Sequence, residues 1–479
     1  MTKRLILILC VLAGLVSCRE DTLSKDPIFL SFSHDTVFFD TVFTSTGSST
    51  HRIMVYNRNK NALNISRISM QSGQYFHINA DGENDMSRLR DITVRGGDSL
   101  FLFVRVNIDP QDKNSPVLVE DDITFSVSDR LQSIHLQAYG QNVERMRDPS
   151  GLIVKENLTL TNEKPYVIYD TLAVKGLLTI QAGAMLYMHT GAMLCAYGDV
   201  VANGTREAPI VVRGDRTDRL FDSVPYRVAS GQWNGIYLLH DQAETCPTYQ
   251  MNYVEILSGT VGLYAQSTSV NPRPMLTFSN GRIHNHSMYG MILQNIDAEV
   301  VNTEISNCAS YCVYLSGGKQ RFIHNTIASY FGYPYTNINI HNQFSRDDVA
   351  AVYINNINKE TASTETTFKN CIITGARKSN LLVATPLAQH YGGAVEGNYL
   401  RADSLPTAFA QHNVYATPTD TVFRNIYYHV GEYKYFDFRL DSVSPARGIG
   451  DSLTAVTYPI DRLGHKRKAH PDAGCYEYE

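Results

Sequence analysis

A repeat of about 22 residues constrains the fold of this chain more than any other feature of its sequence. Ile283, Ile305 and Ile327 follow one another at intervals of 22 residues. A second apolar segment lies nine residues after each of the first two isoleucines, around Ile292 and Tyr314. A fixed period with two strand signals indicates a solenoid, because a single turn cannot bury its inner face whereas a stack of turns can.

Stacking places positions one period apart in vertical columns, with ~4.8 Å between neighbouring strands. Asn285 would then stand over Asn307 in an asparagine ladder at a bend, where side-chain amides satisfy backbone groups. Glu255, Arg282 and Glu304 form a column of alternating sign, which we expect on the outer surface. Two glutamates beside an arginine are also compatible with a catalytic acid and base. We favour a charge ladder, because opposite charges on adjacent strands stabilise their pairing.

The composition disfavours several classes of protein. The 479 residues are 43% hydrophobic and 19% charged, with a formal net charge of −5. This apolar share is ordinary for a folded chain, so disorder is disfavoured. A weakly acidic chain has no surplus of positive charge to neutralise phosphates, so we expect no nucleic-acid partner. The 29 tyrosines and 32 glycines favour β structure.

The N-terminus, residues 1–17, has the pattern of a signal peptide. Two basic residues precede the apolar run Leu5–Val16, which is too short to span a bilayer. The sequence Leu15-Val16-Ser17-Cys18 resembles the bacterial lipoprotein signal, in which cleavage leaves a lipid-bearing cysteine as the first residue. The resemblance implies that Cys18 is lipidated and that residues 18–27 are a polar tether. It also implies a cell-envelope location, anchored to the outer membrane and either periplasmic or surface-exposed.

Residues 28–146 are divided into short apolar segments, such as Ser99–Val106 and Ile123–Val127. Alternation with period two predicts strands with one buried face, and a series of such strands predicts a β-sandwich. Phe39-Asp40-Thr41-Val42 and Gly97-Asp98-Ser99 resemble segments of the immunoglobulin-like modules of Bacteroidetes surface lipoproteins, which are related to the abnormal-spindle and hydin type. The resemblance implies a spacer or interaction module.

Residues 150–479 carry the repeat and its flanking segments. Leu178–Met188 and Gln232-Trp233-Asn234-Gly235 resemble early turns of pectate-lyase-like proteins, and Pro471–Tyr478 resembles the closing segment of bacterial surface β-helix proteins. The resemblance implies a right-handed single-stranded parallel β-helix with a C-terminal closing segment. The predicted fold is therefore all-β, an N-terminal immunoglobulin-like β-sandwich followed by this β-helix.

One turn of the coil is interrupted by an insertion, Ser329 to Val349. The second strand of this turn should begin near residue 336, but its best candidate is Ala351–Ile354. Loops that leave a solenoid often carry function. Aromatic rings can stack on sugars and amides can bind hydroxyls, and an alternative is a lid whose aromatics are buried. We predict ligand contacts from these residues of the insertion: Tyr330, Tyr333, Tyr335, Asn337 and Asn339.

Arg346, Asp347 and Asp348 are the catalytic candidates of the insertion. Polygalacturonase-like enzymes, which this part of the chain resembles incompletely, use clustered aspartates, one as an acid and one to activate water. The chain lacks the separate Asn-Thr-Asp, Gly-His-Gly and Arg-Ile-Lys motifs of those enzymes. Adjacent aspartates also cap turns, which is the alternative interpretation.

Four histidines in neighbouring turns are candidate metal ligands: His284, His286, His324 and His341. Metal ligation requires that they converge in space, and the cysteines lack the paired Cys-x-x-Cys spacing of structural zinc sites. We therefore predict no metal site and no cofactor. Calcium stays an open alternative, although no motif supports calcium binding.

These features together predict a lipid-anchored envelope protein that binds glycans or takes part in surface interactions without catalysis. Its expected partners are the membrane, through the lipid, and a polysaccharide or an envelope protein. One alternative is a polysaccharide lyase or glycoside hydrolase that acts in a side cleft of the β-helix, with Asp347 and Asp348 as its acids. Another is a purely structural envelope component, because a fold does not settle a function.

Overall fold

The computed structural model describes residues 29–479 apart from a set of internal gaps. The chain forms two compact units, which meet in sequence between Asn142 and Val143. Within the described residues, no helix is long and apolar enough to cross a membrane. The gaps are residues 111–112, 222–223, 242–245, 270, 332–349, 356–363, 385–392, 403–409 and 428–434.

The first unit is an immunoglobulin-like β-sandwich. Alternate side chains of Ser99–Val106 are buried, and apolar side chains of both sheets share one core. This alternation is the one predicted from the sequence, because successive side chains of a strand point to opposite faces. The described strands of one sheet are, in spatial order, Ser31–Phe32, His51–Tyr56, Ser99–Val106 and Phe76–Ala80. Those of the other sheet are Thr36–Phe43, Arg130–Gln141, Val117–Val127, Leu63–Met70 and Arg90–Val94.

The second unit is a right-handed parallel β-helix, whose turns build three parallel sheets that we call sheet I, sheet II and sheet III. The described strands of sheet I are Glu144–Met146, Tyr166–Ile168, Met185–Met188, Ile210–Gly214, Val254–Leu257, Arg282–His286, Glu304–Cys308, Thr326–Ser329, Ile372–Gly375, Tyr399–Leu400 and Val414–Tyr415. Those of sheet II are Leu152–Lys155, Thr171–Val174, Met193–Ala196, Gly235–His240, Val261–Ser267, Tyr289–Gln294, Val313–Ser316, Val352–Ile354 and Leu381–Val383. Those of sheet III are Leu158–Leu160, Leu178–Gln181, Val200–Asn203, Thr248–Asn252, Met275–Ser279, Asp297–Val301, Gly318–Ile323, Thr364–Lys369, Val395–Glu396 and Ala410–Gln411.

The register of sheet I confirms the predicted repeat. Ile256, Ile283, Ile305, Ile327 and Ile373 stand in one column, each paired with the next. All five are fully buried in the core of the β-helix. Stacking at every turn supplies the burial that one turn lacks.

Each complete turn has three strands, although the sequence pattern predicts two. In the turn that contains Val313–Ser316 of sheet II, only Gly317 separates this strand from Gly318–Ile323 of sheet III. Two strands that are separated by a single residue give one apolar segment in the sequence, so the pattern does not distinguish them. The third sheet was therefore missed.

Asn285 stands over Asn307 and the two amides bond to backbone groups, as predicted, but they form no hydrogen bond with each other. Both residues adopt positive φ, which asparagine tolerates. Their amides bond to other parts of the chain, however. Nδ2 of Asn285 donates to the carbonyl of Val228 at 2.8 Å, and Oδ1 of Asn307 accepts from the backbone N–H of Tyr330 at 3.0 Å.

Asparagines that bond to one another lie at the corner where sheet III turns into sheet I. Nδ2 of Asn302 donates to Oδ1 of Asn280 at 3.3 Å, and Nδ2 of Asn398 donates to Oδ1 of Asn413 at 3.0 Å. Asn280 and Asn302 have φ values of 54° and 49°. Asn280 and Asn302 thus supply the left-handed residue of this corner in successive turns, while their side chains bond to each other.

The C-terminal closing segment covers part of the outer face of sheet I. It contains the antiparallel pair Phe423–Asn425 and Asp437–Leu440 and the helix Ser452–Thr457, which Asp451 caps. Its apolar side chains, including Cys475, pack in a second cluster of this unit against sheet I. Further elements between sheets I and II are the pair Arg219–Phe221 and Val224–Pro225 and the 3₁₀ turn Tyr226–Val228.

Candidate functional site

A column of aromatic residues follows the outer face of sheet II. Tyr237, Tyr264, Ile292, Tyr314 and Tyr353 stand in register from turn to turn, and we call these five residues the tyrosine column. The ring centroids of Tyr237 and Tyr264 are 5.4 Å apart. The column faces away from the core, because the neighbours of each residue in the strand point inward. Aromatic rings thus stand at four of the five turns of the column, with Ile292 between Tyr264 and Tyr314.

Two further tyrosines widen the column at its C-terminal end. The ring of Tyr353 is stacked on that of Tyr311, with centroids 5.0 Å apart, and lies 5.7 Å from that of Tyr314. The ring of Tyr289 lies 6.1 Å from both Tyr311 and Tyr314. The contacts between the four rings hold them in place. Because all four are half-buried, part of each ring stays accessible.

Amide side chains accompany the tyrosine column, two residues further along the strands. Gln266 and Gln294 are in register, and the hydroxyl of Tyr264 lies 2.6 Å and 2.8 Å from their Oε1 atoms. Nδ2 of Asn355 donates to the hydroxyl of Tyr314 at 3.2 Å. These bonds fix the hydroxyl ends of the two tyrosines. The surface therefore combines aromatic rings with hydrogen-bonding groups.

The predicted insertion ends beside the tyrosine column. Val352–Ile354 pairs with Val313–Ser316, which confirms the late second strand. The chain leaves sheet I at Ser329 and enters sheet II at Val352, next to Tyr353. The predicted residues Tyr333, Tyr335, Asn337, Asn339, His341, Arg346, Asp347 and Asp348, and also Cys18, lie outside the described residues and stay predictions.

Tyr330 is the predicted ligand residue that the structure describes. It is 6% exposed, and its ring lies 6.2 Å from that of Phe438 in the closing segment. It also lines a recess of about 360 Å³ together with Arg401 and Asp420. Asp420 accepts a hydrogen bond from the hydroxyl of Tyr399 at 2.7 Å. A ligand contact through Tyr330 stays a prediction. The burial of Tyr330 agrees with the alternative interpretation, in which the insertion is a lid whose aromatic side chains are buried.

The charged column of sheet I has the predicted register, and the closing segment covers part of it. Arg282 stands between Glu255 and Glu304, and its Nε donates to Glu304 at 2.9 Å. The closing segment contacts the column through two hydrogen bonds. Arg462 donates to Glu255 at 2.7 Å, and the hydroxyl of Tyr476 donates to Glu304 at 2.5 Å. Glu304 is only 2% exposed. The column faces outward as predicted, but Glu304 is not exposed, since residues far along the chain cover it.

Glu304 is held in its ionised form. It accepts hydrogen bonds from Arg282, Ser306 and Tyr476. Burial raises the pKa of Glu304, but the positive charges of Arg282 and Arg462 and the Tyr476 hydrogen bond outweigh burial and hold the pKa at about 2. A buried carboxylate whose pKa is lowered in this way is poorly suited to give a proton to a substrate or to take one from it. The acid and base interpretation of this column therefore fails at Glu304.

The described histidines have separate structural partners. Nδ1 of His284 is 2.8 Å from the hydroxyl of Ser306, and Nδ1 of His286 accepts from the backbone N–H of Gly259 at 3.1 Å. Burial lowers the pKa of His284 to about 3 and that of His286 to about 4, so both rings are neutral. Burial also lowers the pKa of His324. In the part of the chain that the structure describes, no group of three His, Cys, Asp or Glu side chains is placed to hold a metal ion.

Comparison with known proteins identifies no family. No protein-family model matches the chain, and no curated protein is significantly similar to it. Among the solved structures, a family 123 glycoside hydrolase from Clostridium perfringens is 8% identical, with a TM-score of 0.19, over 26% of this chain and 31% of that one. The VesB protease of Vibrio cholerae is 12% identical, with a TM-score of 0.17, over 23% of this chain and 31% of that one. The chain thus spans less than a third of either protein, and neither likeness bears on its function.

Proposed function

We propose that this protein binds an extended glycan along the outer face of sheet II, without catalysis, as a lipid-anchored component of a bacterial cell envelope. The observation that carries the proposal is the tyrosine column with amides beside it. Aromatic rings pack against the apolar faces of sugars, and amide groups bind sugar hydroxyls. The two kinds of group run side by side along the axis of the coil.

The geometry of the coil suits a polymer with a repeating unit. Successive turns present their side chains ~4.8 Å apart along one axis. The hydroxyls of Tyr264 and Tyr314 are already held by Gln266, Gln294 and Asn355. A rigid, pre-oriented surface loses little side-chain freedom when a ligand binds, which favours affinity.

The predicted residues of the insertion have the same chemistry as this surface. Tyr333, Tyr335, Asn337 and Asn339 supply further rings and amides, and the chain returns to sheet II directly beside Tyr353. We include them in the proposed binding surface for this reason. The glycan then contacts residues of both the regular strands and the insertion.

The first test is binding of a polysaccharide panel to the purified mature chain, followed by calorimetry with the best ligand. Tyr314→Ala and Tyr353→Ala should each weaken binding about tenfold, since an aromatic contact is worth about 1–1.5 kcal/mol. Tyr415→Ala is the matched control, because Tyr415 is an exposed tyrosine of sheet I. The absence of any polysaccharide ligand, or equal affinities for all three variants, would contradict the proposal.

The same incubations examine the catalytic alternative. New reducing ends would indicate a glycoside hydrolase, and unsaturated sugar ends would indicate a polysaccharide lyase. Either product would overturn the non-catalytic part of the proposal. Replacement of both Asp347 and Asp348 by Asn would then show whether these residues are responsible, because an amide neither gives nor accepts a proton as a carboxylate does.

The proposed location rests on the resemblance of the N-terminus to bacterial lipoprotein signals and on the Bacteroidetes-type module. Cys18 would carry the lipid, and the β-sandwich would serve as a spacer between the membrane and the coil. The partners are then the membrane and a polysaccharide or an envelope protein. Cys18→Ala in cells should move the protein from the membrane fraction to the soluble fraction and abolish labelling by a fatty acid. Unchanged fractionation would contradict the anchor.

A further inference from the structure

A second recess lies on the outer face of sheet I, on a different sheet from the tyrosine column. It has a volume of about 380 Å³, and Arg213, Arg227 and Arg282 line it. Tyr435 and Phe436 of the closing segment form an aromatic wall. Small-molecule sites begin at roughly 300 Å³, so the recess has room for a ligand of the size of a monosaccharide or disaccharide. We call it the sheet I pocket.

Two of the arginines present positive charge to the pocket. Nε of Arg282 is held by Glu304 at 2.9 Å, and no other hydrogen bond of its guanidinium joins it to the described residues. The guanidinium of Arg227 lies 4.8 Å from the ring centroid of Tyr435, and no described carboxylate pairs with it. Both groups are positioned by their neighbours and keep nitrogen donors for an anion.

Carboxylates offset part of the charge of Arg282, which stands between Glu255 and Glu304, whereas no described carboxylate pairs with Arg227. Glu255 lines the pocket, but Arg462 donates to it at 2.7 Å from the closing segment. Its charge is therefore shared with an arginine that does not line the cavity. Guanidinium groups recognise carboxylates through paired, charge-assisted hydrogen bonds, which makes an organic acid a suitable ligand.

His284 adds a hydrogen-bond acceptor to the same pocket. The hydroxyl of Ser306 donates to the ionised Glu304 at 2.7 Å and therefore accepts from Nδ1 of His284 at 2.8 Å. Nδ1 carries the ring hydrogen, so Nε2 keeps its lone pair. Burial, followed by the charge of Arg282, lowers the pKa of His284 to about 3 and keeps the ring neutral. A complementary ligand supplies a donor, such as a hydroxyl, to Nε2.

We propose that the sheet I pocket binds a carboxylated sugar. Its carboxylate pairs with Arg227 and Arg282, one hydroxyl donates to Nε2 of His284, and its apolar face packs against Tyr435 and Phe436. An inorganic anion would leave the aromatic wall and the acceptor unused, and a neutral sugar would leave the guanidinium of Arg227 without an anion. The site goes beyond the proposed function, because no residue of it belongs to sheet II.

Calorimetric titration of the full mature chain with single sugars tests the pocket. We expect glucuronate, galacturonate or N-acetylneuraminate to bind at least about tenfold more tightly than glucose and galactose, because the charge-assisted bonds are lost with the carboxylate. Equal affinities for acidic and neutral sugars would overturn the proposal. So would inorganic phosphate binding as tightly as the best sugar acid, or no binding by any of the three acids.

Two substitutions separate the roles of the pocket residues. Arg227→Gln should weaken both the best sugar acid and cyclohexanecarboxylate, a carboxylate without hydroxyls. His284→Phe keeps a ring but removes the acceptor, so it should weaken the sugar acid and leave cyclohexanecarboxylate unaffected. Arg321→Gln is the control, because this exposed arginine lies on sheet III. If Arg227→Gln binds the sugar acid as the unaltered protein does, the proposal is wrong, whether or not the His284 variant folds.

Tyr353→Ala distinguishes this pocket from the glycan surface of sheet II. It should leave the affinity for the sugar acid unchanged while it weakens polysaccharide binding. A parallel loss of both affinities would contradict the assignment to sheet I. Sugar-acid binding without any polysaccharide ligand would support the pocket and reject the proposed function.

Discussion

The outer faces of sheet I and sheet II start from the same geometry and differ in what covers them. On sheet I, Glu255, Arg282 and Glu304 stack in register, and the closing segment adds Arg462 and Tyr476, which cover Glu304 and leave Glu255 and Arg282 partly exposed. On sheet II, the tyrosine column stacks in the same way but remains half-buried. Stacked identical or complementary residues therefore do not by themselves indicate a binding surface.

The difference shows how a covered column and an uncovered column use their side chains. A buried charge needs compensation, which Arg282 supplies for Glu304 where the closing segment covers the column. The half-buried tyrosines are stabilised by contacts between their rings, and part of each ring stays accessible to a ligand. Substitutions in the charged column of sheet I should therefore lower the stability most, and substitutions in the tyrosine column of sheet II should weaken polysaccharide binding most.

Glu304→Gln should produce the largest change in stability. It removes the charge that compensates Arg282 in a buried site, which costs about 3–5 kcal/mol of unfolding free energy. Urea unfolding of the mature chain measures this. Glu365→Gln is the control, because Glu365 pairs with Lys319 at an exposed site and should change stability by less than about 0.5 kcal/mol. Similar small losses in both variants would mean that the covered column behaves as an ordinary surface ladder.

The pH dependence of stability should be the next largest effect. The folded pKa values of His284 and His286, about 3 and about 4, lie below the ordinary value of 6.5. The unfolded chain therefore binds more protons, so stability is complete above about pH 6.5 and falls as the pH is lowered toward the folded values. Each histidine contributes a slope of about 1.4 kcal/mol per pH unit in that window.

Urea midpoints measured between about pH 7 and pH 5 reveal this slope. His284→Phe should make it shallower, because the variant has one buried histidine fewer. The low pKa of Glu304, about 2, adds a further loss only below its ordinary value of 4.5. A midpoint that does not change between neutral and mildly acidic pH would show that these two histidines are not buried in solution.

Tyr353→Ala should have the smallest effect on stability. The substitution removes ring contacts with Tyr311 and Tyr314, worth about 1–2 kcal/mol together, from a half-buried site. Thermal or urea unfolding should therefore detect a change smaller than that of Glu304→Gln. A larger loss than that of Glu304→Gln would reverse the comparison of the two faces and make the tyrosine column structural.

Sequence patterns predicted the coil and part of the candidate surface. The vertical column of isoleucines and the late strand Val352–Ile354 both follow from spacing alone. Tyr314 was recognised as a strand residue, but its membership in an aromatic column was missed, because Tyr237 and Tyr264 precede the regular part of the repeat. Their turns vary in length, so only the backbone pairing brings them into register.

The period and the apolar identity of its residues determined the inner column, because any chain of this pattern buries those side chains only by stacking. The tertiary structure alone decided which outer columns become interior. Tyr476 reaches Glu304 across 172 residues of sequence, and Arg462 reaches Glu255 across 207. Such contacts depend on where the closing segment docks, and the spacing within a repeat carries no information about a segment that does not repeat.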